Sequence, residues 1–529
     1  MKNYKYKEYL INVIPCIGYG ILCGALTGAF VFLFKFLSSK AEQLSRYIYA
    51  IASTNVLFIV LVFVALIGFA ILMRFLHKNA PEVKGGGIPR SEGVLRGMLS
   101  FRWLRTLIGT FVGSMIGFLC GLPLGCEGPA VLMGTAIGSA CVKFSKKQSA
   151  WGRYIMSGGA GAGFAVATGA PLSGILFTLE EVHKRFTPIL TIAVSVSVVS
   201  ATFISRLLCT SFNIDYAFIN LSMLAEFELS QVGYLLLLGV LLALAVGAFD
   251  WAISLIGKFT KRYKRILTPL VKLITVFVIT GILGFTLSGA LYSGHHEIIE
   301  TVKGNKILAT VVVLFVVRFI MMMFVADSGV TGGIFVPTLA IGALIGAVFS
   351  ELLILMGMPR QLYSTVVMLS MCAFIGGTLR APLTATVLFI ELSGQFTNLF
   401  YVALVVFTVT IITEILNRTP FYDRVLKNME EHEHQGKVYS TSCFKLTVSH
   451  GAFAIGKAVR DIMWPQSAVV LDVKHANDRI QEVENEGEKK LYAEDMVILR
   501  AKYADKERLK TLLYDIVGSD FEITDYTLQ

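Results

Sequence analysis

The stretch Gly125-Cys126-Glu127-Gly128-Pro129, running on into Ala130-Val131-Leu132-Met133-Gly134-Thr135-Ala136-Ile137-Gly138, decides how this chain is read. It sets one carboxylate between glycines, directly before an apolar helix whose first turn tolerates the proline. A carboxylate in such apolar surroundings is costly and functional by default. A helix start offers unpaired backbone N–H groups and the positive end of a dipole, and glycine lets an ion approach the backbone. A carboxylate and a free anion therefore compete for one place there. Protonating Glu127 removes its charge and releases the place, which is a physical recipe for coupling protons to anions. The alternative is a structural N-cap.

Two more glycine-rich stretches precede apolar runs: Lys84-Gly85-Gly86-Gly87-Ile88-Pro89-Arg90 and Gly332-Gly333-Ile334-Phe335-Val336-Pro337. A fourth motif, Arg418-Thr419-Pro420-Phe421-Tyr422, closes the apolar region. Three helix starts that converge make an anion site with no formal positive charge. The alternative is that these glycines serve only tight helix packing. None of the motifs is a phosphate-binding loop, because Gly85-Gly86-Gly87 lacks the following Gly-Lys-Ser/Thr. The chain also repeats itself. Residues 128–138 align with 336–346 at an offset of 208, pairing Pro129 with Pro337, Gly134 with Gly342 and Gly138 with Gly346. Ala170-Pro171-Leu172 aligns with Ala381-Pro382-Leu383 at an offset of 211, which also pairs Glu180 with Glu391. Duplicated halves with short, interrupted helices are a transporter architecture.

Composition agrees. Of 529 residues, 55% are hydrophobic and 16% charged, and the mean hydropathy is +0.68. Soluble domains carry about 25% charge, so this is a polytopic membrane protein. Apolar segments fall near 11–35, 51–75, 102–120, 128–142, 152–166, 171–181, 187–208, 229–256, 266–291, 305–326, 334–356, 361–377, 382–392 and 397–416. Several are too short to span a bilayer and abut Gly-Pro clusters. The segment from Ile11 to Phe34 has no small-residue cleavage pattern and reads as a retained first helix. Residues 1–430 carry a net charge of +15 and 431–529 a net charge of −4. The excess suits cytoplasmic loops or an anionic substrate. No nucleic-acid-binding signature is present. The eight cysteines form no CxxC pair and read as buried thiols. His295 and His296 are expected in a short polar loop, and His432 and His434 in a charged linker; neither pair has zinc partners. No nucleophile–base set points to an enzyme.

Glu180 and Glu181 end the run Ser173–Leu179, before Val182-His183-Lys184-Arg185. Adjacent helix residues point about 100° apart, so one can face inward. A proton relay and a solvated helix end paired with Lys184 and Arg185 both fit this pattern. Beyond a polar linker at 431–440, residues 441–515 read as a small α+β soluble domain. Strand-like runs lie at 443–448, 467–473, 490–492 and 496–500, and Leu509, Leu512, Leu513 and Ile516 stripe a helix. Residues 516–529 read as a tail.

The motifs together resemble the CLC family of chloride channels and chloride/proton exchangers. Its GSGIP-type motif stands here as Gly85-Gly86-Gly87-Ile88-Pro89, its GREGP-type motif as Gly125-Cys126-Glu127-Gly128-Pro129 and its GxFxP-type motif as Gly333-Ile334-Phe335-Val336-Pro337. The resemblance implies a transport domain over 1–430 with two inverted halves, about 11–208 and 229–416, and a final helix from about 421. It implies about eighteen broken, tilted helices and a homodimer with one anion pathway per subunit. Glu127 matches the external gating glutamate and Glu181 the internal proton-transfer glutamate. Tyr422 matches the tyrosine whose hydroxyl coordinates the anion, and Ile334 and Phe335 match residues offering backbone N–H groups. Gly86, Gly87, Ile88 and Gly128 complete the anion-binding set. The implied activity is exchange of chloride, and of other monovalent anions such as nitrate, for protons. The alternative is a passive chloride channel of the same fold. Two departures stand out. Gly86 lacks the serine hydroxyl of chloride-selective members, and Cys126 replaces the usual arginine. The domain at 441–515 resembles the C-terminal ligand-binding subdomain of TrkA and potassium-channel regulators. That implies a cytoplasmic domain, paired across the dimer, that binds a small ligand of unidentified chemistry. Chloride is the expected bound ion, with no metal or organic cofactor, in a bacterial plasma membrane.

Overall fold

The computed structural model describes residues 2–145, 149–214, 216, 224–417, 419–433, 439–465, 468–476, 487–503 and 505–526, with only the backbone described at 2–13, 15, 145, 149 and 150. Arg418 and His434 lie outside the described residues.

Seventeen helices, among the described residues, come before the C-terminal domain. They are α1 (Lys2–Ala52), α2 (Val56–Asn79), α3 (Ile88–Leu95), α4 (Trp103–Leu119), α5 (Glu127–Ser145), α6 (Ser149–Thr168), α7 (Pro171–Phe177), α8 (Pro188–Ser211), α9 (Val232–Arg262), α10 (Pro269–Thr286), α11 (His295–Val302), α12 (Leu308–Ser328), α13 (Phe335–Leu355), α14 (Tyr363–Leu379), α15 (Pro382–Ser393), α16 (Leu399–Ile415) and α17 (Phe421–Glu433). Eight helices among the described residues are long and apolar enough to cross a bilayer; α3, α7 and α15 are far shorter. Proline occupies the first turn of α3, α7, α8, α10 and α15, where its missing N–H costs nothing. These prolines mark where helices restart.

Burial separates centre from periphery. Only 17% of the apolar window of α2 is buried, against 89% for the window ending α14. Exposed Val56, Leu57, Leu61 and Val64 on α2 present a face suited to lipid. The repeat appears in the packing. A Cβ on Gly134 of α5 would lie 2.0 Å from the Gly159 carbonyl of α6, and one on Gly342 of α13 would lie 2.9 Å from Phe374 Cβ of α14. The paired glycines thus let the corresponding helices of each half approach closely.

The histidine pair at 295–296 begins helix α11 rather than lying in a polar loop. Gly294, at φ 91°, turns the chain, and Ile298 and Val302, one helical turn apart, are buried. The charged stretch after Tyr422 continues α17 to Glu433.

The C-terminal domain is an antiparallel sheet in the order β2-β3-β1-β4, from β1 (Ser440–Thr447), β2 (Ala468–Lys474), β3 (Met496–Tyr503) and β4 (Thr524–Tyr526). Helix α18 (Lys506–Val517) is capped by Asp505, whose carboxylate accepts from the Arg508 N–H. It buries Leu509, Leu513 and Ile516. Strand β4 falls in the stretch expected to be a bare tail. Cys443 pairs with Tyr526 and Lys445 with Thr524, so β1 recruits it as an edge strand. The domain sits against the membrane part. The Tyr154 hydroxyl of α6 donates to the Asp461 carbonyl at 2.9 Å and accepts from the Met463 N–H at 3.2 Å. The Trp151 ring meets Phe453 edge-on at 5.0 Å.

Candidate functional site: an anion and proton pathway

The three glycine-rich loops interlock. Gly125 and Gly333 exchange backbone hydrogen bonds of 2.7 and 2.9 Å, a single antiparallel bridge joining the start of α5 to the start of α13. The Gly85 N–H reaches the Gly329 carbonyl at 3.0 Å, tying the loop before α3 to the same place. The fit demands glycine. A Cβ on Gly128 would lie 1.8 Å from the Gly86 carbonyl, and Gly87, at φ 82°, would set one 2.4 Å from the Gly128 carbonyl. Convergence and close packing are therefore properties of the same loops. The starts of α3, α5 and α13 meet, bringing Gly86, Gly87, Ile88, Gly128, Ile334 and Phe335 into one region. Neither Ile334 nor Phe335 donates its N–H to a backbone partner among the described residues, as expected of a helix's first turn.

Glu127 opens α5 and is 1% exposed. The Cys126 thiol donates to its Oε1 at 3.4 Å, and its Oε2 has no partner among the described residues. Cys126 thus gives one weak hydrogen bond where an arginine would give a charge. Tyr422, in the first turn of α17, is 1% exposed and within electrostatic reach of Glu181, Glu127 and Glu92. The Phe335 ring packs edge-on against Phe164 of α6 at 5.1 Å, and Phe164 stacks on Phe177 of α7 at 4.3 Å. This aromatic column fixes the start of α13.

Glu180 and Glu181 part company. Glu180 caps α15: Oε1 accepts from the Leu383 N–H at 2.9 Å, and Oε2 from the Thr384 N–H and hydroxyl, each at 2.7 Å. Glu181 is 1% exposed, with neither carboxylate oxygen paired among the described residues. It is not a solvated helix end. Lys184 pairs instead with Asp423 at 2.6 Å. The backbone widens into a π-turn over Thr178–Val182, and such turns are frequent at functional sites. Arg96 clamps the turn, donating to the Glu181 carbonyl at 3.1 Å and the Val182 carbonyl at 2.8 Å. Its Nη1 also lies 2.8 Å from Glu92 Oε1. Glu92, fully buried, and Arg96 were not singled out from sequence. The signal that marks them is their spacing of four, Glu92 on α3 and Arg96 at its C-cap.

Among the described residues no cluster of metal-ligating side chains occurs. Residues 66–414 match the family described as voltage gated chloride channel. The chain belongs to this family, the CLC chloride channels and exchangers. These proteins transport ions and are not enzymes, and chloride is the substrate ion. The chain is 32% identical over 377 residues to the H(+)/Cl(-) exchange transporter ClcA of Vibrio cholerae, covering 70% of this chain and 78% of that protein. It is 29% identical to the transporter of the same name from Klebsiella pneumoniae, with the same coverage. Its fold matches the crystal structure of a slow cyanobacterial Cl-/H+ antiporter with a TM-score of 0.74 and 26% identity, over 79% of this chain and 99% of that one.

Proposed function

We propose that this CLC protein is a chloride/proton antiporter, with Glu127 as the external gate and proton acceptor and Glu181 as the internal proton-transfer group. The observation that carries the reading is a pair of fully buried carboxylates, each with an oxygen unpaired among the described residues, both within electrostatic reach of Tyr422. A passive pathway needs no second buried carboxylate, so Glu181 favours exchange over a channel. In this reading the N–H groups at the starts of α3, α5 and α13 and the Tyr422 hydroxyl hold a dehydrated anion. Glu127 takes the anion's place when charged and leaves it when protonated. Chloride is the main substrate, and nitrate passes too because position 86 offers no hydroxyl. The functional unit is a homodimer in a bacterial plasma membrane. The TrkA-like domain at 441–515 is cytoplasmic, pairs with its copy and regulates flux.

The deciding experiment is Glu127→Gln in proteoliposomes, with chloride and proton movement recorded together. Glutamine keeps the shape and cannot titrate, so chloride flux persists and proton movement stops. Proton pumping driven by a chloride gradient in the variant would remove Glu127 from the mechanism.

A further inference from the structure

We propose that the cleft between the membrane part and the C-terminal domain is a binding site for a phosphate-bearing small molecule, held jointly by Arg185, Arg460 and the start of α8. The cleft has a volume of 740 Å³, within the range of small-molecule sites. Its walls come from both parts of the chain: Arg185, Phe186 and Thr187 from one, Arg460, Asp461 and Trp464 from the other. Four features give it the chemistry of an anion site. Arg185 is exposed and makes no ion pair among the described residues. Thr187 is the N-cap of the 24-residue α8, yet its side chain makes no capping bond. That hydroxyl is buried, the residue being 8% exposed, and has no partner among the described residues; Thr187 lines the cleft where the positive end of α8 begins. Arg460 is held by Glu488 at 2.5 Å, an exposed pair that a phosphate outcompetes, since guanidinium–phosphate contacts are charge-assisted and bidentate. Phe186 and Trp464 supply aromatic surface beside the charges.

The position matters more than the affinity. The Arg185 N–H is bonded at 3.0 Å to the Leu179 carbonyl, inside the π-turn that carries Glu181. Asp461, beside Arg460, accepts the Tyr154 hydroxyl of α6. Further along α6, the Ser157 hydroxyl lies 2.7 Å from His183 Nε2. A ligand bridging Arg185 to Arg460 therefore fastens the C-terminal domain to the turn that orients Glu181, and it slows exchange. The flux consequence rests on the antiport reading; the binding does not.

The test uses the full-length protein with pyrophosphate and ATP as probes, measuring binding by calorimetry and coupled flux in proteoliposomes. Arg185→Gln is expected to weaken probe binding about tenfold, the scale of one lost charge-assisted contact, while Arg185→Lys retains part of it. Glu488→Gln frees Arg460 and tightens binding. Basal exchange in the ligand-free variants shows that they are folded, and proton movement in the wild type tests antiport separately. Absence of binding by both probes, or binding undiminished in Arg185→Gln, would overturn the site. Exchange unaltered at saturating probe would overturn its link to Glu181.

Discussion

Replacing Gly86 by serine adds a hydroxyl to the proposed anion site. The structure accepts the change. Gly86 lies outside the left-handed backbone region, and a Cβ there would meet only the Gly332 carbonyl, at 3.7 Å. That carbonyl is the nearest competitor for the new hydroxyl. A hydrogen bond to a charged partner is worth about 1.5–3 kcal/mol. In the proposed site water and backbone N–H groups also serve the anion, so the expected net gain is about 1 kcal/mol. That corresponds to roughly a fivefold rise in chloride preference over nitrate. Reversal potentials in mixed chloride and nitrate measure it directly. A Gly128→Ser control should fail to fold, because its Cβ would lie 1.8 Å from the Gly86 carbonyl and no flexible side chain is there to yield. Unchanged anion preference in a folded Gly86→Ser protein would refute the placement of position 86 in the anion site.

The remaining predictions concern the paired carboxylates and the C-terminal domain. Glu181→Gln should pass chloride with proton movement lost. Glu180→Ala should keep the proton-to-chloride ratio and lose about 1–3 kcal/mol of stability with its three contacts to α15, which thermal unfolding reads. Lys457 lies 3.9 Å over the Phe453 ring and 5.3 Å from that of Trp151, and burial lowers its ammonium from 10.5 to about 8. The unfolded chain then binds more protons between about pH 8 and 10.5, so stability should rise with pH across that window. The gain is about 3 kcal/mol at most, and Lys457→Met should flatten the dependence.

Much of the membrane part was legible because its helices are apolar and its breaks are punctuated. The restarts at Pro171, Pro188 and Pro382 stand in the sequence where the backbone restarts. The glycine-rich loops could be read as an anion site or as packing devices. The approach of Gly128 to the Gly86 carbonyl shows the packing role, and the anion role is the one proposed above. Glu92 and Arg96 stayed hidden because an acid four residues before a base is also the ordinary pattern of a surface ion pair. Helix α11 begins at two polar residues, and its inner face mixes the apolar Ile298 and Val302 with the buried polar Glu297 and Thr301. The seam between Tyr154 and Met463 joins residues 309 positions apart, a contact that no local pattern encodes.

The same two alignments also show where the duplicated halves diverge. Glu391 of α15 accepts from the Leu172 and Ser173 N–H groups at the start of α7, each at 2.7 Å, while Glu180 accepts from the corresponding groups of α15. Each half caps the other, as an antiparallel pair of repeats requires. The next position breaks the symmetry. Glu181 aligns with Leu392, a buried apolar residue. The first half widens into a π-turn there, and α15 runs on as a regular helix to Ser393. A π-turn rotates the following residue by the width of one extra position, which brings Glu181 inward without surrendering the Glu180 cap. The duplication thus supplies a symmetric frame in which each half caps a helix of the other. A local departure from it, the π-turn, buries an additional carboxylate, the one proposed above for internal proton transfer.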